Sequence, residues 1–298
     1  MKLLFILIAT ALSTNCASTH LDKSRDSLEN QLRTGVDVFI ENKTFREVID
    51  FTGILLSNPV SEGMQQARFT SSITFKNCVF ENDVLAYSKN DNGQKTFSFF
   101  QSNLSFIGCS FKDTVNFRAS SIMGRTVFTS SFFEKAAIFE ECTFFQNTHF
   151  NQCVFHGELR FQNTFFMQRA NFMDAAFDGN ASFQGSTFHS TAQFSNTKFY
   201  GYSDFSLINW NETCFFNYAQ IHGRSVFNSA HFSQIADFNS VSFENTEIKN
   251  CFFMGKTSFA KSDIIKRLSL DHSYFLLGVP DLGFFDKEKL STVDLVFH

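Results

Sequence analysis

Residues 171–210 read NFMDAAFDGNASFQGSTFHSTAQFSNTKFYGYSDFSLINW. Large aromatics fall at Phe172, Phe177, Phe183, Phe188, Phe194, Phe199, Phe205 and Trp210, in steps of 5, 6, 5, 6, 5, 6 and 5. Such an alternation fits neither the period of about 3.6 residues of an amphipathic helix nor the alternation of a single long strand. Fixed, short self-similarity marks a solenoid.

Extended in both directions, the lattice defines 26 positions from Phe106 to Phe243, and Phe occupies all but Ile122, Trp210 and Ile221. Two residues before the centres from Phe172 to Phe205 sits a small side chain: Ala170, Ala175, Ala181, Ser186, Ala192, Thr197 and Ser203. Residues two apart share a face of extended backbone, so both point inward and the small one leaves room for the ring. Gly157, Gly179, Gly201 and Gly223 recur every 22 residues, each two after a centre in a six-residue step. One coil is therefore about 22 residues, in two unequal halves. The expectation is that this glycine corner needs positive φ, with Asn245 continuing the ladder.

This pattern resembles the pentapeptide-repeat family, on a central Phe with a small residue two before it over about four-fifths of the chain. The resemblance implies an all-β, right-handed quadrilateral β-helix. The centres here are Phe rather than mostly Leu, and the coil has about 22 residues rather than a strict repeat of five, which resembles a Phe-rich branch. The scaffold serves many functions, so the fold carries little functional weight.

The repeat is expected over 37–275, in about ten coils and roughly 45 Å of length at the spacing of neighbouring strands. Insertions are expected near 57–67 and 81–97, the second on the loop chemistry of SKNDNGQK. Residues 276–298 leave the pattern and are assigned as a C-terminal cap, partly helical. Residues 16–36 are polar and read as a tether containing a short helix.

The N-terminus reads as an export signal, 1–15: Met1 and Lys2 form the charged start and Leu3 to Leu12 the apolar run, too short to span a bilayer. Cys16 follows in LSTNCAS, at a position resembling the lipidated cysteine of bacterial lipoproteins, although Leu12 lies four before it and Asn15 precedes it. The alternative is ordinary cleavage near Ala17 or Ser18, leaving a soluble secreted or periplasmic chain. The other six cysteines (Cys78, Cys109, Cys142, Cys153, Cys214, Cys251) all sit two before a lattice Phe and read as core. No two are 22 apart, so no disulfide is expected.

Charge is near balance, 25 Lys and Arg against 29 Asp and Glu, which implies neither nucleic acid nor an anionic membrane surface. Residues just after the centres form outward ladders. One carries Lys112, Glu134, His156, Asp178, Tyr200, His222 and Glu244; its two histidines lie three coils apart and cannot share a metal. Another carries Met123, Phe145, Met167 and His189, with Phe165 beside Met167. That apolar stripe is the candidate contact for a partner, a second copy, or the 81–97 insertion folding back. No phosphate-binding Gly-rich loop, zinc spacing or nucleophile motif appears, so no catalytic residue, metal or cofactor is assigned.

The expected function is a non-enzymatic, exported, lipid-anchored scaffold that presents a binding surface in the cell envelope to a protein or glycan, without nucleic acid. Two alternatives stand beside it. The resemblance implies that a DNA mimic acting on a type II topoisomerase is one. The other is a polysaccharide-active β-helix enzyme, which needs carboxylates clustered on adjacent coils, whereas Asp174, Asp178 and Asp204 do not converge.

Overall fold

The computed structural model describes residues 23–297 apart from Leu56. The chain winds into an all-β solenoid of about nine turns. Each regular coil gives one short strand to a ten-stranded sheet, one to a thirteen-stranded sheet and two to an eighteen-stranded sheet, making four faces. In coil order, face 1 contains Ala170–Asn171, face 2 Ala176–Phe177, face 3 Ala181–Ser182 and face 4 Thr187–Phe188. Coil-to-coil pairing is parallel and in register: Phe166 lies over Phe144 and under Phe188.

The 5+6 spacing follows from two kinds of corner. Each five-residue step turns through a left-handed residue two after the centre: Glu141, Gln152, Asn163, Asp174, Gly185 and Asn196 all have φ between 55° and 68°. A hydrogen bond closes the turn, as from Ala175 N to Phe172 O at 3.1 Å. Most of these positions are not glycine, so the stacked coils hold a conformation that L-residues disfavour.

The 22-residue glycine ladder has a different cause from the one expected. Gly157, Gly179, Gly201 and Gly223 are absent from the positive-φ residues. A Cβ on Gly179 would meet Gly157 O at 2.4 Å, and one on Gly223 would meet Gly201 O at 2.0 Å. Glycine is needed because successive coils touch backbone to backbone there.

Inside, the lattice rings are fully buried in columns one coil apart. Phe183 stacks on Phe161 at 5.3 Å and on Phe205 at 5.1 Å, and meets Phe172 and Phe194 edge-on at 5.4 Å. Offset stacks and edge contacts are the arrangements that aromatic quadrupoles favour.

Both ends depart from expectation. The short helix expected within 16–36 is Lys23–Thr34 (α1), but it is packed rather than free: its Leu28 and Leu32 are buried in the core. Sealing the open end of the column gives the helix its apolar partner. Among the described residues of the C-terminal segment there is no helix. Leu290–Ser291 and Val296–Phe297 rejoin the sheets against Leu268–Ser269 and Tyr274–Phe275, so the 22-residue period outlasts the Phe pattern. Asp271 secures this last coil by accepting from Ser291 Oγ at 2.6 Å and Val293 N at 2.9 Å. The intervening loop buries Phe285 beside Phe259.

The insertions are two hairpins at one corner, between faces 3 and 4, in consecutive coils. The first pairs Asn58–Ser61 with the start of Met64–Phe69. The second pairs Tyr87–Lys89 with Lys95–Phe97. It begins later than expected, because Val84–Leu85 still belongs to the solenoid. Ala86 holds a lattice position without a ring, and Phe51 leans across it to within 6.3 Å of Phe117. Lys95–Phe100 also pairs in parallel with Met64–Phe69, so the hairpins join into one four-stranded wing.

Candidate binding surface

Face 4 is where the chain places its apolar side chains outward. Met123, Phe145, Met167 and His189 each follow a centre and donate their N–H to the centre one coil back, at 2.8–3.0 Å. They therefore form one column. Phe165 stands in the neighbouring column between Thr143 and Thr187. Met123 is 39% and Phe165 45% exposed, while Phe145 and Met167 are half-buried. Strands here are about 4.8 Å apart, so the stripe runs roughly 10–15 Å along the column.

The wing does not fold over this stripe. Its second hairpin is spent on the ladder with Lys95–Phe97, and Arg118, whose guanidinium lies 5.8 Å from the Tyr87 ring, props its base. Arg118 is itself held by Glu141 at 2.6 Å and Glu140 at 3.3 Å. At the wing end, Arg68 lies 4.9 Å from the Phe99 ring. Arg125 and Arg169 are exposed at the opposite edge, and with burial they lower the pKa of His149 on face 1. The stripe thus has an apolar centre and basic flanks.

A second apolar patch on the same face, beyond polar His189, Asn209, Asn211 and His231, was not anticipated. Phe252 is 51% and Met254 36% exposed there, with Tyr274 beside Phe252 at 6.4 Å. The signal lay in the Phe doublets. In Phe99–Phe100, Phe144–Phe145, Phe165–Phe166 and Phe252–Phe253 one ring goes in and the other out on face 4, as they also do in Phe132–Phe133 on face 2 and Phe215–Phe216 on face 1.

The other faces carry paired charges. On face 2, Arg46 pairs with Glu81 at 3.6 Å and Lys112 with Glu134 at 3.2 Å. Further along it, His156 pairs with Asp178 and Lys266 with Glu244, while the Tyr200 and His222 rings stack at 5.1 Å. Sign alternates from coil to coil, as expected of solvated ion pairs worth little each. Asp174 accepts from Asn196 at a corner and Asp204 accepts from Ser206 N on face 3, so neither joins Asp178 in a carboxylate cluster. Among the described residues no group of His, Cys, Asp and Glu is arranged to hold a metal ion.

Burial pushes the thiols of Cys153 and Cys251 up to about 12 and raises those of Cys142 and Cys214 still further. These are inert core groups. Among the described residues no helix is long and apolar enough to cross a membrane, which says nothing of strands. Cys16 lies outside the described residues.

Comparisons with known proteins bear on the fold. No curated protein matches the chain. Two solved structures of trypsin-treated QnrB1 variants, QnrB1 being a plasmid-mediated fluoroquinolone resistance protein, align over most of both chains. One is 11% identical, covering 88% of this chain and 90% of that one with a TM-score of 0.19. The other is 14% identical, covering 87% and 91% with a TM-score of 0.17. These overlays are loose, and no functional reading rests on them. Residues 139–187 match the family model for pentapeptide repeats (9 copies). That segment lies inside the unbroken lattice of the β-solenoid, so this part of the chain is similar to pentapeptide repeats.

Proposed function

We propose that the protein is a non-enzymatic, exported and lipid-anchored scaffold that presents face 4 to a partner in the cell envelope. The observation that carries the binding part is the uncovered stripe of Met123, Phe145, Phe165 and Met167 on adjacent coils of face 4. Large apolar side chains held rigidly outward on adjacent strands are costly to leave wet, and a contact removes that cost. Arg68, Arg125 and Arg169 around the stripe favour a partner with an acidic rim. The export and anchoring part rests on the sequence: the apolar run from Leu3 to Leu12 and Cys16 after it.

A second reading, mimicry of DNA toward a type II topoisomerase, is supported by the pentapeptide-repeat solenoid. It calls for a continuous acidic stripe, whereas the face 2 ladder alternates in sign. A polysaccharide-active site would need converging carboxylates, and Asp174, Asp178 and Asp204 lie apart.

Two assays separate the readings. A photo-crosslinking residue at position 165 should yield a protein adduct in the envelope fraction, one at position 200 on face 2 should not, and Met167→Glu should abolish the adduct without lowering the melting temperature. Purified protein should leave topoisomerase-driven supercoiling unchanged. Inhibition of supercoiling, with no adduct at position 165, would replace the first reading by the second.

A further inference from the structure

We propose that Cys78 and Cys109 form a disulfide that staples the second coil of the solenoid to the third at the corner between faces 1 and 2. The second hairpin lengthens the chain between them, so the two are not 22 residues apart, yet they occupy the same rung. Val79 pairs with Ser110 and Phe80 with Phe111, and Ser110 N donates to Cys78 O at 2.9 Å. The residues just before, Cys78 and Cys109, therefore face each other across one strand spacing of about 4.8 Å. That spacing falls within the range of about 4.4–6.8 Å between Cα atoms that a disulfide spans. Both side chains point inward, 0% and 1% exposed, and both are thiols in this structure.

In the folded chain, interaction with Cys109 lowers the pKa of the Cys78 thiol and that with Cys78 raises the Cys109 thiol, as for two side chains that meet on one rung. Among the described residues no other cysteine has a cysteine on an adjacent rung. Cys142 lies between Ser120 and Thr164, Cys153 between Ser131 and Ala175, Cys214 between Ala192 and Ala236, and Cys251 between Ala230 and Ser273.

The oxidant is a small-molecule disulfide. The thiolate of one cysteine of the pair attacks one sulfur of glutathione disulfide and releases one glutathione thiolate. The thiolate of the other then attacks the protein sulfur of the mixed disulfide and releases the second. The protein loses two hydrogens, and one glutathione disulfide becomes two glutathiones. The closed loop contains the second hairpin, so the crosslink ties together the two coils that this insertion separates in sequence. Because both sulfurs are buried in the folded chain, the exchange belongs to folding, before the coils close.

The test uses the full chain carrying Cys16→Ser, refolded from denaturant in a glutathione redox buffer, then denatured, alkylated and digested for mass spectrometry. The expected result is a Cys78–Cys109 linked peptide, with Cys142, Cys153, Cys214 and Cys251 alkylated. The denaturation midpoint should rise, and the rise should vanish with reductant and be absent in Cys109→Ala. Alanine is safe as a control because Ala175 fills the same column three coils on. Alkylation of all six cysteines after refolding, or linkage of Cys78 to any other cysteine, would overturn the proposal.

Discussion

Phe183→Ala is expected to lower the free energy of unfolding by about 3–5 kcal/mol, the cost of a large cavity in a packed core. Phe183 touches Phe161 and Phe205 one coil to either side at 5.3 and 5.1 Å, and Phe172 and Phe194, successive rings of the facing column, at 5.4 Å. The backbone on every side is fixed by ladder hydrogen bonds, so the void cannot close by local collapse. Stability in a solenoid is a sum over neighbouring coils, so the loss should centre on coils next to the mutation. The one tryptophan of the chain offers a readout: Trp210 is buried against Phe188 at 4.5 Å and Phe232 at 6.0 Å. Its emission should shift to the red at a lower denaturant concentration in the variant. An unchanged midpoint would remove the stacked core from the account.

Gly179→Ala should cost about 1–3 kcal/mol or more, as overpacking does. The new methyl would lie 2.4 Å from Gly157 O and 2.7 Å from Gly157 C, backbone atoms that the coil below cannot move without breaking its own ladder. Gly179→Asn separates this cause from a conformational one. Were positive φ the requirement, Asn would be tolerated; against close backbone approach it should be at least as damaging as Ala. At Gly185, with φ of 68°, the nearest atom is the side-chain Oδ1 of Asn163, which can swing away, so Gly185→Asn should be milder. Leu207, with φ of 59°, offers the reverse case: Leu207→Gly removes a left-handed strain of roughly 1–2 kcal/mol, offset by glycine's entropy, and should be neutral to stabilising. Equal damage from Asn at 179 and 185 in denaturant melts would contradict the assignment.

The repeat was legible because Phe at lattice positions is both large and frequent, so burial is written directly into spacing. The coil length and the inward small residues followed from the same pattern. The glycine ladder was legible as a constraint but not as to cause, since a sequence marks where a side chain is forbidden without saying whether φ or a neighbouring coil forbids it. The left-handed corners were hidden because packing forces residues as unlike as Ala119, Glu141, Leu207 and Tyr218 into that conformation. The last coil was missed because Thr292 stands at one of its centre positions and Phe297 alone continues the rings. Cys78 and Cys109 seemed unrelated because an insertion moved them off the 22-residue spacing while the strands kept them in register. On the surface, the Met123, Phe145, Phe165 and Met167 stripe was readable from residues flanking the centres, whereas Phe252 and Met254 fell beyond the residue lost after Phe243.

Display from a membrane is the central functional claim, and labelling of Cys16 with a tagged palmitate tests it most directly. The full chain expressed in a bacterial host should incorporate the label, and Cys16→Ala should not. Retention of Met1 without label would contradict the account, place the chain in the cytosol and favour the topoisomerase reading.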